Sequence, residues 1–124
     1  MIRALMQIYA KGSAEAVELY QKAFDAVLGY HEKSPDGTFF HSELDVGGQI
    51  VAVAERPADG EGTLTGNTMQ FCLHFGDGEE GAVRKAYEVL GIGAEILFPL
   101  GPCVFSPCMA ELIDKFGVRW CLFV

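Results

Sequence analysis

At 124 residues with a formal net charge of −8, the chain is acidic and of one-domain length, enough to bury a core but short for two independent ones. Half of its residues are hydrophobic and 21% are charged, which is a globular composition and not a disordered one. The acidic balance argues against a nucleic-acid partner, and no apolar run is long enough for a membrane-spanning helix. Residues 1–7 lack the apolar core and cleavage site of a signal peptide, so the expectation is a cytoplasmic protein.

Residues 3–9 alternate in polarity, with Ala4, Met6 and Ile8 on one face and Arg3, Leu5, Gln7 and Tyr9 on the other, the pattern of a strand. Lys11-Gly12 turns the chain. Ser13 is placed to cap a helix in which Ala16, Val17, Tyr20, Ala23 and Phe24 recur at helical spacing. Strands are expected at about 27–33, 38–46 and 49–55. Pro35-Asp36-Gly37 and Gly47-Gly48 supply the hairpin turns between them. Residues 56–67 are polar, rich in glycine and proline, and without periodicity, so they read as a linker.

The same order then returns. Residues 68–75 alternate, with Phe71, Leu73 and Phe75 opposite Gln70, Cys72 and His74. Asp77 and Glu80 have capping-box spacing ahead of a helix whose stripe is Ala82, Val83, Ala86, Tyr87 and Leu90, and Gly91 ends it. Further strands are expected at about 94–98 and 105–112. The last strand follows the Asp114–Gly117 turn, with Val118, Trp120 and Leu122 opposite Arg119, Cys121 and Phe123. A strand this apolar at the end of a chain is expected to be interior or barrel-closing. The repeated order predicts an internal duplication: repeat one at about 1–56, a linker at about 57–67 and repeat two at about 68–124. The fold class is α+β, built from two βαβββ units.

Parity then selects candidate site residues. If each helix covers the more apolar face of its sheet, the opposite face presents Gln7, Tyr9, His41, Glu43, Gln70, Cys72, His74, Arg119 and Cys121. Convergent polar groups in an apolar cleft make a small-molecule site, with His41 or Glu43 as a candidate general base. Plainer readings stand beside each of these. His41 and Glu43 also fit an exposed cross-strand neighbourhood, and His74 a solvent-facing position before the turn at Gly76-Asp77. Gln70 could serve only to satisfy backbone groups. The cysteines Cys72, Cys103, Cys108 and Cys121 show no paired metal spacing and fit reduced core thiols. His41, Glu43 and His74 form only a weak metal constellation, and no GxGxxG nucleotide loop is present.

The stretch Asp114-Lys115-Phe116-Gly117-Val118-Arg119-Trp120 resembles the closing signature of PhnB-like proteins. These are a branch of the vicinal oxygen chelate superfamily, which includes glyoxalase I, extradiol dioxygenases and bleomycin-resistance proteins. Glu15-Ala16, Leu19-Tyr20 and His41-Ser42-Glu43-Leu44 are similar to the first-helix and third-strand motifs of that group. The resemblance spans essentially the whole chain. It implies two βαβββ repeats forming a half-open, barrel-like mixed sheet with a concave cleft, commonly in a homodimer. It also implies metal-ligand positions on the first, fourth, fifth and eighth strands. Those positions fall on Leu5, Ala52 (or Glu55 if the register slips), Gln70 and Cys121. Leucine and alanine cannot ligate, and a lone cysteine with a glutamine is not a recognised set, so a divalent metal is possible but not favoured and no cofactor is expected. The leading expectation is a metal-poor protein that binds a small molecule. The alternatives are a lyase- or dioxygenase-type enzyme using His41 or Glu43, and a structural or regulatory dimer with a vestigial cleft.

Overall fold

The computed structural model describes residues 1–57, 62 and 66–124, so most of the expected linker lies outside the described residues. The element order is β1 (Met6–Ala10), α1 (Ser13–Phe24), β2 (Val27–Lys33), β3 (Phe39–Val46), β4 (Gln49–Glu55), β5 (Phe71–His74), α2 (Glu80–Leu90), β6 (Glu95–Gly101), β7 (Met109–Ile113) and β8 (Arg119–Phe123). This is βαβββ twice, in two four-stranded mixed sheets, and the chain divides into two compact units at Gly62/Thr63. No helix among the described residues is long and apolar enough to cross a membrane.

In the first unit the strand order is β1-β4-β3-β2, with β1 parallel to β4 and the other pairs antiparallel. A parallel pair needs a crossover, and α1 belongs to it. It lies against β1, β3 and β4 and buries Ala16, Val17, Tyr20 and Ala23. Ile8, Leu44, Val51 and Val53 are buried on the sheet's side of this core. Each such aliphatic side chain contributes about 1.5–3 kcal/mol when removed from water. The helix start corrects the sequence reading. Ser13 is the first helical residue, not the cap, and the cap position is Gly12 at φ 93°, a left-handed conformation that glycine adopts without Cβ strain. The cap is supplied from β4. Glu55 accepts the backbone N–H of Gly12 (3.0 Å) and of Ser13 (2.8 Å), and the Ser13 hydroxyl (2.8 Å). The Ser13 Oγ in turn accepts the Phe39 N–H at 2.8 Å.

A bulge re-aims the start of β3. Lys33 pairs with Phe39 and Glu32 with His41, which leaves Phe40 as the extra residue. Phe39 is therefore buried while Phe40 is 71% exposed.

The second unit repeats the plan as β5-β8-β7-β6, with β5 parallel to β8. The α2 helix lies on β7 and β8 and buries Val83, Ala86 and Leu90. Ala110, Leu112, Trp120 and Leu122 are buried in the sheet. The expected Asp77–Glu80 capping box does not form: the cap position is Glu79, with no side-chain cap bond, and the Glu79 N–H donates to the Gly76 carbonyl in a turn (3.2 Å). Gly91 does end the helix, but not through a left-handed conformation. A Cβ there would stand 2.7 Å from the Tyr87 carbonyl oxygen. Strand β5 begins at Phe71 and β7 at Met109, later than the alternation suggests. Ahead of β7, Pro102 and Pro107 lack donors for a ladder, and the Cys103 N–H donates to the Ser106 carbonyl at 2.8 Å, closing a loop. The closing strand β8 is interior, between β5 and β7, as expected.

Candidate functional site

The register of the first sheet builds a polar row on the face opposite α1. Gln7 and Glu43 both pair with Ala52, so these two side chains flank a small residue on the central strand. Ala52 is fully buried, and its methyl group leaves room for longer neighbours to meet across it. His41, two residues before Glu43, sits between them: Nδ1 lies 3.0 Å from Gln7 Oε1 and Nε2 lies 3.2 Å from Glu43 Oε1. Arg3 closes the far side as a two-pronged pair, at 2.7 Å to Glu43 Oε1 and 3.0 Å to Oε2. The Arg3 bonds, and then the His41 bond, hold the Glu43 carboxyl at a pKa of about 2. Glu43 is only 7% exposed, so the plain reading of it as a solvent-facing edge residue does not hold.

Beyond this row lies an open concavity of about 900 Å³, lined among others by Gln7, Tyr9, Tyr30, Phe40, His41 and Ala54. Its aromatic groups are unusually bare: Tyr9 is 57%, Tyr30 61% and Phe40 71% exposed. Lys11 and Arg56 also line it. The lining acids are engaged by the protein itself: Glu32 accepts the Tyr30 hydroxyl (2.7 Å), Asp36 accepts the Thr38 hydroxyl and N–H, and Glu55 caps α1. Arg3, Tyr30 and Phe40 were not singled out by sequence reasoning. Arg3 has the right parity, but a flanking arginine carries no signal without its partner. Phe40 is hidden by the bulge, because strict alternation would send it to the core.

The second unit assembles its own group. Cys72, Cys121 and Glu111 lie in one row across β5, β8 and β7. Arg119 joins their neighbourhood, with Nε donating to Gln70 Oε1 at 3.0 Å and Nη2 to Glu111 Oε2 at 3.1 Å. Gln70 Nε2 faces the Cys72 sulfur at 3.7 Å. Residues 67–70 and Arg119 line a small hollow of about 250 Å³. His74 stands at the end of β5, stacked on Phe123 with centroids 4.7 Å apart. Cys72 is exposed, Cys103 half-buried, and Cys108 and Cys121 buried. Burial pushes the Cys121 thiol up to about 11.

The four positions at which the resemblance implies metal ligands do not fit a metal. Leu5 and Ala52 carry no donor atom. The Gln70 oxygen is taken by Arg119, and Cys121 is a buried thiol held protonated. Glu55, the alternative on β4, is committed to the start of α1. Among the described residues, no group of three His, Cys, Asp or Glu side chains is placed to hold an ion.

The duplicated βαβββ arrangement, with each helix on one sheet face and polar rows on the other, is the vicinal oxygen chelate fold. Solved structures carry the likeness across nearly the whole chain. The PhnB protein from Bacillus cereus is 23% identical, with a TM-score of 0.78 and coverage of 98% of this chain and 97% of that one. The protein PA1353 from Pseudomonas aeruginosa is 19% identical, with a TM-score of 0.79 and coverage of 99% and 97%. A fosfomycin resistance protein, FosX, from Listeria monocytogenes, solved as an E126Q mutant with Mn(II) and 1S,2S-dihydroxypropylphosphonic acid, is 16% identical, with a TM-score of 0.70 and coverage of 99% and 93%. No protein-family model and no curated protein matches the sequence. The expected resemblance to PhnB-like proteins is thus borne out in the fold.

Proposed function

We propose that the chain binds a small molecule on the open face of its first sheet, against Tyr9, Tyr30 and Phe40 and beside the His41 ring. The observation that carries this reading is the pairing of three bare aromatic side chains with a polar row already fixed by its own bonds. Leaving large rings in water forgoes the stabilisation that burial would bring, and such a patch beside fixed polar groups is the composition of a ligand site. With its acids internally bonded and Lys11 on its wall, the concavity suits a ligand with a flat or apolar body and at least one hydrogen-bond acceptor. Gln70, Cys72, His74, Arg119 and Cys121 form a second polar surface that the proposal also assigns to ligand contact. The protein works as a cytoplasmic homodimer in this reading.

Binding is favoured over turnover through Glu43. A carboxylate whose pKa is about 2 is ionised at neutral pH but a poor proton acceptor, far from the matched pKa that general-base catalysis needs. His41 has both ring nitrogens engaged, so acting as a base would require it to leave Gln7 or Glu43. Native mass spectrometry of protein taken gently from its producing cells tests the proposal. A retained small molecule, lost in Phe40→Ala and Tyr30→Ala variants that remain folded, is the expected result. Retention unchanged in both variants would place the ligand elsewhere.

A further inference from the structure

Cys72 and Cys121 are direct partners in the parallel pairing of β5 with β8. Neighbouring strands run about 4.8 Å apart, within the Cα separations that disulfides span. As register partners on adjacent strands, the two side chains leave the sheet side by side on one face. They differ in access: Cys72 is exposed on the edge strand, while Cys121 is 4% exposed on the strand behind it. The exposed sulfur also has a prepared surrounding. Arg119 holds the oxygen end of the Gln70 amide, which turns the amide nitrogen toward Cys72 Sγ. The Cys72 sulfur, being exposed, is therefore the one that a small oxidant reaches first from solvent. Burial keeps Cys121 a thiol, so the two cysteines are suited to different steps.

We propose that Cys72 and Cys121 form a reversible cross-strand disulfide when the protein meets a hydroperoxide, with Cys72 the attacking sulfur and Cys121 the resolving one. In the first step the Cys72 thiolate attacks a peroxide oxygen. An S–O bond forms, the O–O bond breaks, and water or an alcohol leaves after taking up a proton. In the second step the Cys121 sulfur attacks the Cys72 sulfenic acid. The S–S bond forms, the S–O bond breaks, and the departing hydroxide takes the Cys121 proton to become water. The two thiols together lose two electrons and the peroxide gains them. A dithiol reductant returns both thiols by exchange. The bond pins edge strand β5 to interior strand β8, and it stands independently of the ligand site proposed for the first unit.

The test treats the whole protein with a stoichiometric amount of hydrogen peroxide. Remaining thiols are blocked with N-ethylmaleimide in denaturant, and the chain is digested without reductant. The dominant oxidised product should be the peptide pair joined through Cys72 and Cys121, lost on treatment with dithiothreitol. Cys121→Ser should instead accumulate a Cys72 sulfenic acid that dimedone captures, and Cys121→Ala should behave the same way if the serine variant does not fold. Cys72→Ser should lower oxidation of Cys121 by about tenfold or more, because the buried thiol lacks its activating partner. The proposal is overturned if both cysteines are recovered as maleimide adducts or if Cys72 is joined to Cys103 or to a second chain. It is equally overturned if Cys121 oxidises as fast without Cys72.

Discussion

The Trp120 indole N–H donates to Asp114 Oδ2 at 2.8 Å, while Oδ1 of the same carboxylate accepts the backbone N–H groups of Phe116 (2.9 Å) and Val118 (3.0 Å). One buried acid therefore ties the turn to the strand that follows it. This gives a physical reason for the motif through which the sequence is recognisable. Gly117 takes φ 86° at the turn's end, and Trp120, 1% exposed, stacks on Phe71 with centroids 4.7 Å apart. Trp120→Ala should cost about 3–5 kcal/mol as a large aromatic truncation. Asp114→Ala should cost about 3 kcal/mol, because it leaves a buried indole N–H and two turn amides without their acceptor. Urea unfolding measures both. Native tryptophan emission should lie at the blue, buried end, and a water-exposed maximum would contradict the placement.

Glu43 gives the protein a defined acid response. Its folded pKa of about 2 lies below the ordinary value of 4.5, because Arg3 and then His41 stabilise the ionised form. A carboxyl depressed on folding contributes stability that is full above the unfolded pKa and is lost as pH falls through the folded one. The Glu43-dependent part should therefore fade between about pH 4.5 and about 2. Denaturation midpoints for the wild type and Glu43→Gln should converge across that window and separate above it. Parallel curves from pH 6 to pH 2 would show that Glu43 is not held in this way.

Much of the fold was legible because it rests on periodicity and turn chemistry. Strand β4 follows from the Gly47-Gly48 turn and the apolar run after it, the parity of β1, β5 and β8 follows from alternation, and β8 is interior because its apolar residues demand neighbours on both sides. What was not legible depends on tertiary contacts. The cap on α1 comes from Glu55, more than forty residues away in the chain, so local capping rules chose Ser13 instead. The bulge at Phe40 breaks a period-two reading without leaving a glycine to mark it. In the site, parity grouped Gln7, His41 and Glu43, and the registers bring these three together. Arg3 and Tyr30 needed coordinates, since an arginine or tyrosine of suitable parity is common on any sheet.

Metal content should be clearly substoichiometric in protein purified without chelator, since Leu5, Ala52, Gln70 and Cys121 offer no workable donor set. Elemental analysis should find no transition metal near one equivalent. Stoichiometric zinc, nickel, iron or manganese that disappears in Gln70→Ala would contradict this account of the site.

The protein is also expected to dimerise, through the edges of its two sheets. The apolar strands β4 and β8 are flanked on both sides. The edge strands are β1 and β2 in one unit and β5 and β6 in the other, and they expose Met6, Val27, Ile96, Leu97 and Phe98. A two-fold pairing that covers such edges is the common solution. Light scattering over a dilution series should give a dimer mass at micromolar concentration. A folded, soluble monomer throughout would overturn the expectation.

The most direct test of the small-molecule proposal is a nuclear magnetic resonance screen of small aromatic acids, read on side-chain signals. The chain has three histidines, so the His41 ring can be assigned by comparing the wild type with His41→Gln. A binder should shift the His41, Tyr9, Tyr30 and Phe40 signals together. Its affinity should fall by about tenfold or more in Phe40→Ala, as expected when a buried aromatic contact is removed. Binders that move only signals of the second unit, or that bind Phe40→Ala and Tyr30→Ala as well as the wild type, would contradict the assignment of the ligand to this face.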